Sequence, residues 1–195
     1  MADINEKLKK ATIGIAGLGG LGSTVAIALT RAGIGRLIIA DFDKIEPSNL
    51  NRQHYFIEQV GQYKVDALTE NIKMINPDVK IKGHILKLTE DNVGQIFAGA
   101  DAIAECFDKA DQKQMLVQTV LTKMEKTVIV SASGLAGYGK SNQIQTRRVS
   151  GRLILVGDNE SGTDTGLPLT APRVWIAACH QANAITEILI DEIIK

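Results

Sequence analysis

Only two cysteines, Cys106 and Cys179, occur in the 195 residues, too few for a disulfide scaffold or a four-cysteine zinc site. Neither sign of charge is in excess: 22 Lys and Arg stand against 22 Asp and Glu. That balance argues against a general nucleic-acid binder while leaving room for a local basic pocket. No apolar run approaches the ~18 residues that suggest a membrane span. The opening MADINEKLKK is polar and of mixed charge, so neither a signal nor a transit peptide is expected and the expected location is cytoplasmic. The chain is also short for an enzyme with separate cofactor and substrate domains. At roughly 100–200 residues per domain it is expected to form one domain, 1–195. It is long enough to bury about 70% of its unfolded surface without a staple.

What is present is an alternation of short apolar runs with stretches at helical spacing. Strands are expected at Thr12–Ala16 (TIGIA), Arg36–Asp41 (RLIIAD) and residues 79–86, 101–107 and 127–131. Helices are expected at 22–32, 62–75, 91–97 and 109–123, the second stopping at Asn76-Pro77 because proline disfavours helical geometry in the residue before it. Alternation of this kind, with apolar strands, implies a parallel sheet covered on both faces. In the last third, residues 142–149 and 152–156 read as an antiparallel pair turning at Ser150-Gly151. A turn-rich loop, 157–169, follows, and then a closing helix, 172–194, with Pro172 in its first turn. The expected fold is thus Rossmann-like α/β: a doubly wound, mainly parallel sheet with an antiparallel C-terminal pair and a closing helix.

The first strand runs into Gly17-Leu18-Gly19-Gly20-Leu21-Gly22 and then a helix. In that setting the first glycine permits a tight turn, the second lets a phosphate approach the backbone, and the third lets helix and strand pack closely. The helix N-terminus supplies N–H groups for an anion. Asp41 ends the second strand 19 residues after Gly22, near the spacing of about 20 expected of a ribose-binding acid. These features suggest an adenosine-containing ligand and leave a dinucleotide and ATP both open. The stretch Asp41-Phe42-Asp43-Lys44-Ile45-Glu46-Pro47-Ser48-Asn49-Leu50-Asn51-Arg52-Gln53 and the helix opened by Gly61-Gln62-Tyr63-Lys64 favour ATP. Arginine and lysine near a phosphate site supply the positive charge that a triphosphate needs and a nicotinamide does not. Asp108 follows the fourth strand, at the sheet edge where open α/β sheets bind ligands, and is a candidate to hold Mg²⁺.

With these motifs in order, GLGGLG, DFDKIEPSNLNRQ, GQYKVDA and ECFDKADQK, the sequence resembles the ThiF/MoeB/HesA adenylyltransferases of the E1-like, ubiquitin-activating superfamily. The likeness covers about residues 10–135, the nucleotide-binding core, and extends more loosely through APRV. Residues 136–195 would supply carrier-facing strands, a crossover loop and the closing helix. The resemblance implies ATP-dependent adenylation of the C-terminal Gly-Gly carboxylate of a small ubiquitin-like sulfur-carrier protein, in thiamine biosynthesis, by a homodimer. It implies Gly17, Gly19, Gly20 and Gly22 as the nucleotide loop and Asp41 as the ribose acid. Asn49, Arg52 and Lys64 become phosphate contacts, and Asp108 the residue that orients Mg²⁺ and the reacting groups. No nucleic acid or membrane partner is implied.

Departures from the family pattern are informative. The paired CxxC motifs of many relatives are missing, so no zinc site is expected. Residues 135–171 lack the cysteine that relatives use for a covalent carrier link. Cys106 and Cys179 read as buried, inert thiols, and His54, His84 and His180 show no metal-ligand spacing. Glu105-Cys106-Phe107-Asp108-Lys109 stands where relatives commonly have Asp-x-x-Asp-Asn. The RYxRQ-type arginine segment is absent, so either another arginine, such as Arg147 or Arg173, contributes across a dimer or that contribution is missing. Alternative readings are an NAD-dependent oxidoreductase and a non-catalytic carrier-binding module. Alone, Arg52 or Lys64 reads as a solvated charge, Asn49 as the pin of its own turn, and Asp108 as a helix cap.

Overall fold

The structure, a computed structural model, describes residues 2–162 and 166–191. Seven strands, β1 (Thr12–Ala16), β2 (Arg36–Asp41), β3 (Lys80–Ile85), β4 (Ala102–Glu105), β5 (Val128–Ala132), β6 (Gln145–Ser150) and β7 (Leu153–Gly157), form one sheet in the order β3-β2-β1-β4-β5-β7-β6. All pairings are parallel except the β6–β7 hairpin. The expected doubly wound sheet with its antiparallel C-terminal pair is therefore what forms.

Strand alternation decides the two layers. Ile13, Ile15, Leu37, Ile39, Ala102, Ala104, Val128 and Val130 face α1 (Ala2–Lys10), α2 (Gly20–Ala32), α3 (Lys64–Ile75) and α6 (Ala171–Asp191). Ala16, Ile38, Ala40, Ile103 and Ile129 face α4 (Val93–Ile96) and α5 (Ala110–Lys123). Each large side chain so buried stabilises the fold by about 1.5–3 kcal/mol. The close fit shows at Gly14, where a Cβ would lie 2.7 Å from the ring of the fully buried Phe97.

Three elements differ from expectation. The helix α1 was not anticipated; it packs on α6 through buried Leu8 and a Lys7 Nζ bond to the Ile190 carbonyl at 3.0 Å. β3, expected among apolar strands, is the sheet edge, and four of its six residues are exposed. The turn Ser141–Gln143 delays β6 to Gln145. Of the closing helix, residues 192–194 lie outside the described residues, as do 163–165 of the crossover loop. No described helix is long and apolar enough to cross a membrane.

Crossovers run one way from β1 through β2 to β3 and the other way from β4 through β5 to β7. The strand order thus reverses between β1 and β4, and their carboxyl ends sit side by side, the usual place for a ligand crevice. The Cys106 N–H bonds the Ala16 carbonyl and the Gly17 N–H bonds the Ala40 carbonyl, both at 2.9 Å. Those two bonds bring the ends of β4, β1 and β2 together at one edge.

Candidate functional site

A cleft of about 870 Å³ opens at that edge. It is lined by Gly17, Gly19, Gly20, Asp41, Asn49, Arg52, Lys64 and Asp108, so all but one of the expected site residues meet there. Gly22 is the exception. It lies in α2 beneath the loop, where a Cβ would fall 1.8 Å from the Gly17 carbonyl oxygen. Gly17 itself has φ +88°, a left-handed conformation that glycine adopts without strain. No described side chain caps α2, so its first N–H groups are open to an anion.

Asp41 holds this loop in place. One carboxylate oxygen accepts from the Leu18 N–H at 2.6 Å and the other from the Asp43 N–H at 2.8 Å. Burial holds the Asp41 carboxyl above its ordinary value, opposed by the Lys64 charge and by those two N–H groups. On the opposite side of the loop the Tyr55 hydroxyl donates to the Leu18 carbonyl at 2.8 Å. Burial, aided by the Asp41 charge, pushes the Tyr55 phenol well up, so it stays a donor.

Lys64 opens α3 and is 6% exposed. Its ammonium pairs with Asp43 at 2.9 Å. A two-segment clip delivers it: the Lys64 N–H bonds the Asp43 carbonyl, the Ile45 N–H that of Gln62, and the Gly61 N–H that of Ile45. Arg52 follows the turn Pro47–Asn49. Its guanidinium donates to the Ser48 carbonyl at 3.2 Å and to Asn51 Oδ1 at 2.8 Å, and no described carboxylate pairs with it. Its own carbonyl accepts from the Trp175 indole at 2.9 Å, and Trp175 stacks on His54 with centroids 4.9 Å apart. Asn49 does pin its own turn, accepting the Glu46 N–H at 3.1 Å, while also lining the cleft. Asp108 does not cap α5, whose N-cap is Lys109. It is exposed on the cleft wall with no hydrogen bond or ion pair among the described residues.

The cleft lining also includes the mostly small residues Ala132, Ser133, Gly134, Leu135 and Ala136, together with Ser161, Gly162 and Leu169. Both described flanks of the crossover loop are tied to this wall. The Leu135 and Ala136 N–H groups bond the Ser161 carbonyl at 2.9 Å, and the Gly137 N–H bonds that of Pro168 at 2.8 Å. Arg173 anchors the same region. It is 2% exposed, pairs with Asp158, and donates to the carbonyls of Ala136 (2.9 Å), Gly139 (2.8 Å) and Lys140 (3.1 Å). So engaged, the Arg173 guanidinium is held by groups of its own chain. Arg147 is exposed on β6.

The two thiols differ. Cys106 is buried, and burial pushes its thiol far above the ordinary range. Cys179, expected to be buried, is exposed on α6. Sequence reasoning also missed Gln53, buried on the cleft wall with its Oε1 unpartnered among the described residues, and Lys113, which lines the cleft while paired to Glu105. Gln53 directly follows Arg52 in the recognised motif, which was signal enough to include it.

Fold and cleft define a doubly wound α/β protein with a nucleotide-type crevice at its switch point. A profile of the ThiF family matches residues 2–192, and the chain belongs to that family. It is 36% identical over 151 residues to ubiquitin-like modifier-activating enzyme 5 of Caenorhabditis briggsae, covering 72% of this chain and 34% of that protein. The chain spans a third, or a little more, of the first curated relatives it matches. The E. coli tRNA N6-threonylcarbamoyladenosine dehydratase in complex with ATP superposes with a TM-score of 0.87 at 22% identity, over 97% of this chain and 89% of that one. E. coli MccB with ATP gives 0.74 at 22% identity, over 97% and 59%. At such identities the two structures speak for the fold.

Proposed function

We propose that the chain is an ATP-dependent adenylyltransferase that activates the C-terminal carboxylate of a ubiquitin-like protein. The supporting observation is that the glycine loop, Asp41, Arg52, Lys64 and Asp108 line one cleft at the switch point. Family membership and ATP in two structures of the same fold agree with it. In this reading, the carboxylate attacks the α-phosphorus, a new O–P bond forms, and the bond to the β-phosphate bridging oxygen breaks to release pyrophosphate. No proton moves, because the attacking carboxylate is already ionised near neutral pH.

Asp41 receives the ribose, using lone pairs that remain after its two backbone bonds. The N-terminus of α2, Arg52 and Asn49 hold the phosphates. Arg52, whose charge no described carboxylate offsets, and Lys64 stabilise the negative charge that builds on the departing pyrophosphate. Electrostatic groups of this kind are each worth about 3–4 kcal/mol in other enzymes. No group of three or more His, Cys, Asp or Glu side chains that could hold a metal stands among the described residues. The unpartnered Asp108 carboxylate nevertheless suits Mg²⁺ bound through the triphosphate, an ion that commonly takes one or two carboxylates and completes its shell with phosphates and water. Bound there, the ion would supply further charge neutralisation.

The small-residue half of the cleft fits an extended tail without bulky side chains, such as Gly-Gly. A thiamine sulfur carrier is the substrate this proposal names first, and a ubiquitin-like modifier is the second, after the relatives' name. Action as a cytoplasmic homodimer, with residues 1–195 as one adenylation unit, is part of the same proposal. ATP–pyrophosphate exchange with a Gly-Gly-ending carrier is the test. Carrier-dependent exchange is expected. Carrier binding indifferent to ATP would favour a non-catalytic module, and tight NAD binding without ATP binding would favour an oxidoreductase.

A further inference from the structure

A charged cluster at the junction of β4, β5 and α5 has no part in the chemistry above. Glu105, the last residue of β4, is 0% exposed. One of its oxygens accepts from the Phe107 N–H at 2.7 Å and from the Lys113 ammonium at 3.1 Å. The other accepts from Lys113 at 3.0 Å and from the Ser131 hydroxyl at 2.6 Å. Lys113 also donates to the Ala132 carbonyl at 3.0 Å. A single ion pair thus joins the carboxyl ends of two strands to the start of the next helix.

Stability alone is a poor reason for such a pair, since apolar replacements of similar volume are often neutral or stabilising. Its local effect is more specific. The bond to Phe107 spans two residues and turns the chain as β4 ends, in the manner of an Asx turn. The next residue is Asp108, whose own side chain has no described partner to fix it. Glu105 grips the backbone on one side of Asp108 directly. On the other side it grips α5 through Lys113, whose N–H also bonds the Lys109 carbonyl at 3.0 Å.

We propose that Glu105 and Lys113 are positioning residues that aim Asp108 into the cleft, with Ser131 as their brace. This rests on the adenylation reading. Exchange kinetics and calorimetric ATP binding should be compared for wild type, Glu105→Gln, Lys113→Met, Lys113→Arg, Asp108→Ala and the Glu105→Gln/Asp108→Ala double variant. A displacement of about 1 Å in such a site costs roughly 100-fold. Glu105→Gln and Lys113→Met are therefore expected to lose about 30- to 100-fold in kcat, with KM for ATP within about threefold. Lys113→Arg, which keeps the charge, is expected to recover most of the loss. In the double variant the Glu105 change should cost nothing beyond Asp108→Ala, because both act through one group. Losses that multiply in the double variant, or folded single variants with wild-type kcat, would overturn the proposal.

A wild-type protein without exchange activity would instead count against the adenylation reading. Positioning is then read from amide hydrogen exchange at Phe107, whose N–H Glu105 accepts. Roughly tenfold faster exchange there in Lys113→Met, with β1 and β2 unchanged, is expected; equal rates would overturn it. If Glu105→Gln does not fold, the two Lys113 variants carry the same readouts.

Discussion

Gly19 and Gly22 sit three residues apart, at the N-cap and in the first turn of α2, yet a methyl group added to each is expected to do different damage. At Gly22 the new Cβ would lie 1.8 Å from the Gly17 carbonyl oxygen, whereas real Cβ contacts essentially never fall under 3.0 Å. Loop and helix must therefore part by about 1.2 Å, the difference between those distances. The same shift would stretch the 2.6 Å bond from the Leu18 N–H to Asp41 to about 3.8 Å, outside hydrogen-bond range. Overpacking costs about 1–3 kcal/mol, and a lost hydrogen bond to a charged group about 1.5–3 kcal/mol. At roughly 2–4 °C per kcal/mol for a chain of this size, Gly22→Ala should melt about 5–24 °C below wild type. At Gly19 the added Cβ meets only Gln53 Nε2, at 3.7 Å, so, compared with Gly22→Ala, Gly19→Ala should melt much closer to wild type. Its methyl fills open cleft where a phosphate would approach, and ATP affinity is expected to fall at least about tenfold, or 1.4 kcal/mol. Thermal melting and titration calorimetry with ATP read the two effects separately. A Gly22→Ala protein that melts like wild type would refute the packing argument. Undiminished ATP affinity in Gly19→Ala would refute the proposed phosphate approach.

Three further outcomes are expected. Arg173→Met removes the cation paired with Asp158 and the donor to the Ala136, Gly139 and Lys140 carbonyls, while the Ser161 and Glu160 N–H groups stay on the carboxylate; it should cost about 1–3 kcal/mol in urea denaturation, and a loss under about 0.5 kcal/mol would contradict that role. Burial pushes the Asp158 carboxyl up, but the N–H groups of Ser161 and Glu160 and the Arg173 guanidinium outweigh it and hold the group below its ordinary value. Its stabilisation is then complete above the unfolded value of about 3.9 and disappears as pH falls through the lower folded value. Asp158→Asn should accordingly flatten the acid limb of stability below about pH 4, and an unchanged limb would count against the assignment. Asp108→Ala removes no described contact, so stability should stay within about 0.5 kcal/mol while exchange activity falls at least about 100-fold; equal activity would remove Asp108 from the site.

The parallel sheet explains why so much of the cleft could be read from chain order. It sends the end of every such strand to one edge, so motifs that follow successive strands arrive together. The glycine loop after β1, Asp41 at the end of β2 and Asp108 after β4 needed no long-range information beyond that. α1 had no comparable signal. Leu8 is its one described side chain in the core, and the Lys7 bond to Ile190 spans 183 positions.

Cys179 was misread for a different reason. On α6 the buried residues Val174, Ala177, Ala178, Gln181, Ala182 and Ile185 trace one face, while the exposed Trp175, Cys179 and Asn183 follow one another at four-residue steps on the opposite face. Trp175 and Cys179, counted as apolar, masked a periodicity that the buried face of small residues reveals. The charged pairs are harder still. Lys113 and Arg173 have the composition of ordinary helix-surface cations, and only the convergence of β4, β5 and the loops after β5 and β7 gives them buried partners. In an α/β chain whose strands share one edge, the polar residues that hold the edge together therefore resemble surface residues in sequence. The glycine loop stands out because so close a turn has few other uses, whereas the strand-end acids Asp41 and Glu105 look alike in sequence and only Asp41 lines the cleft.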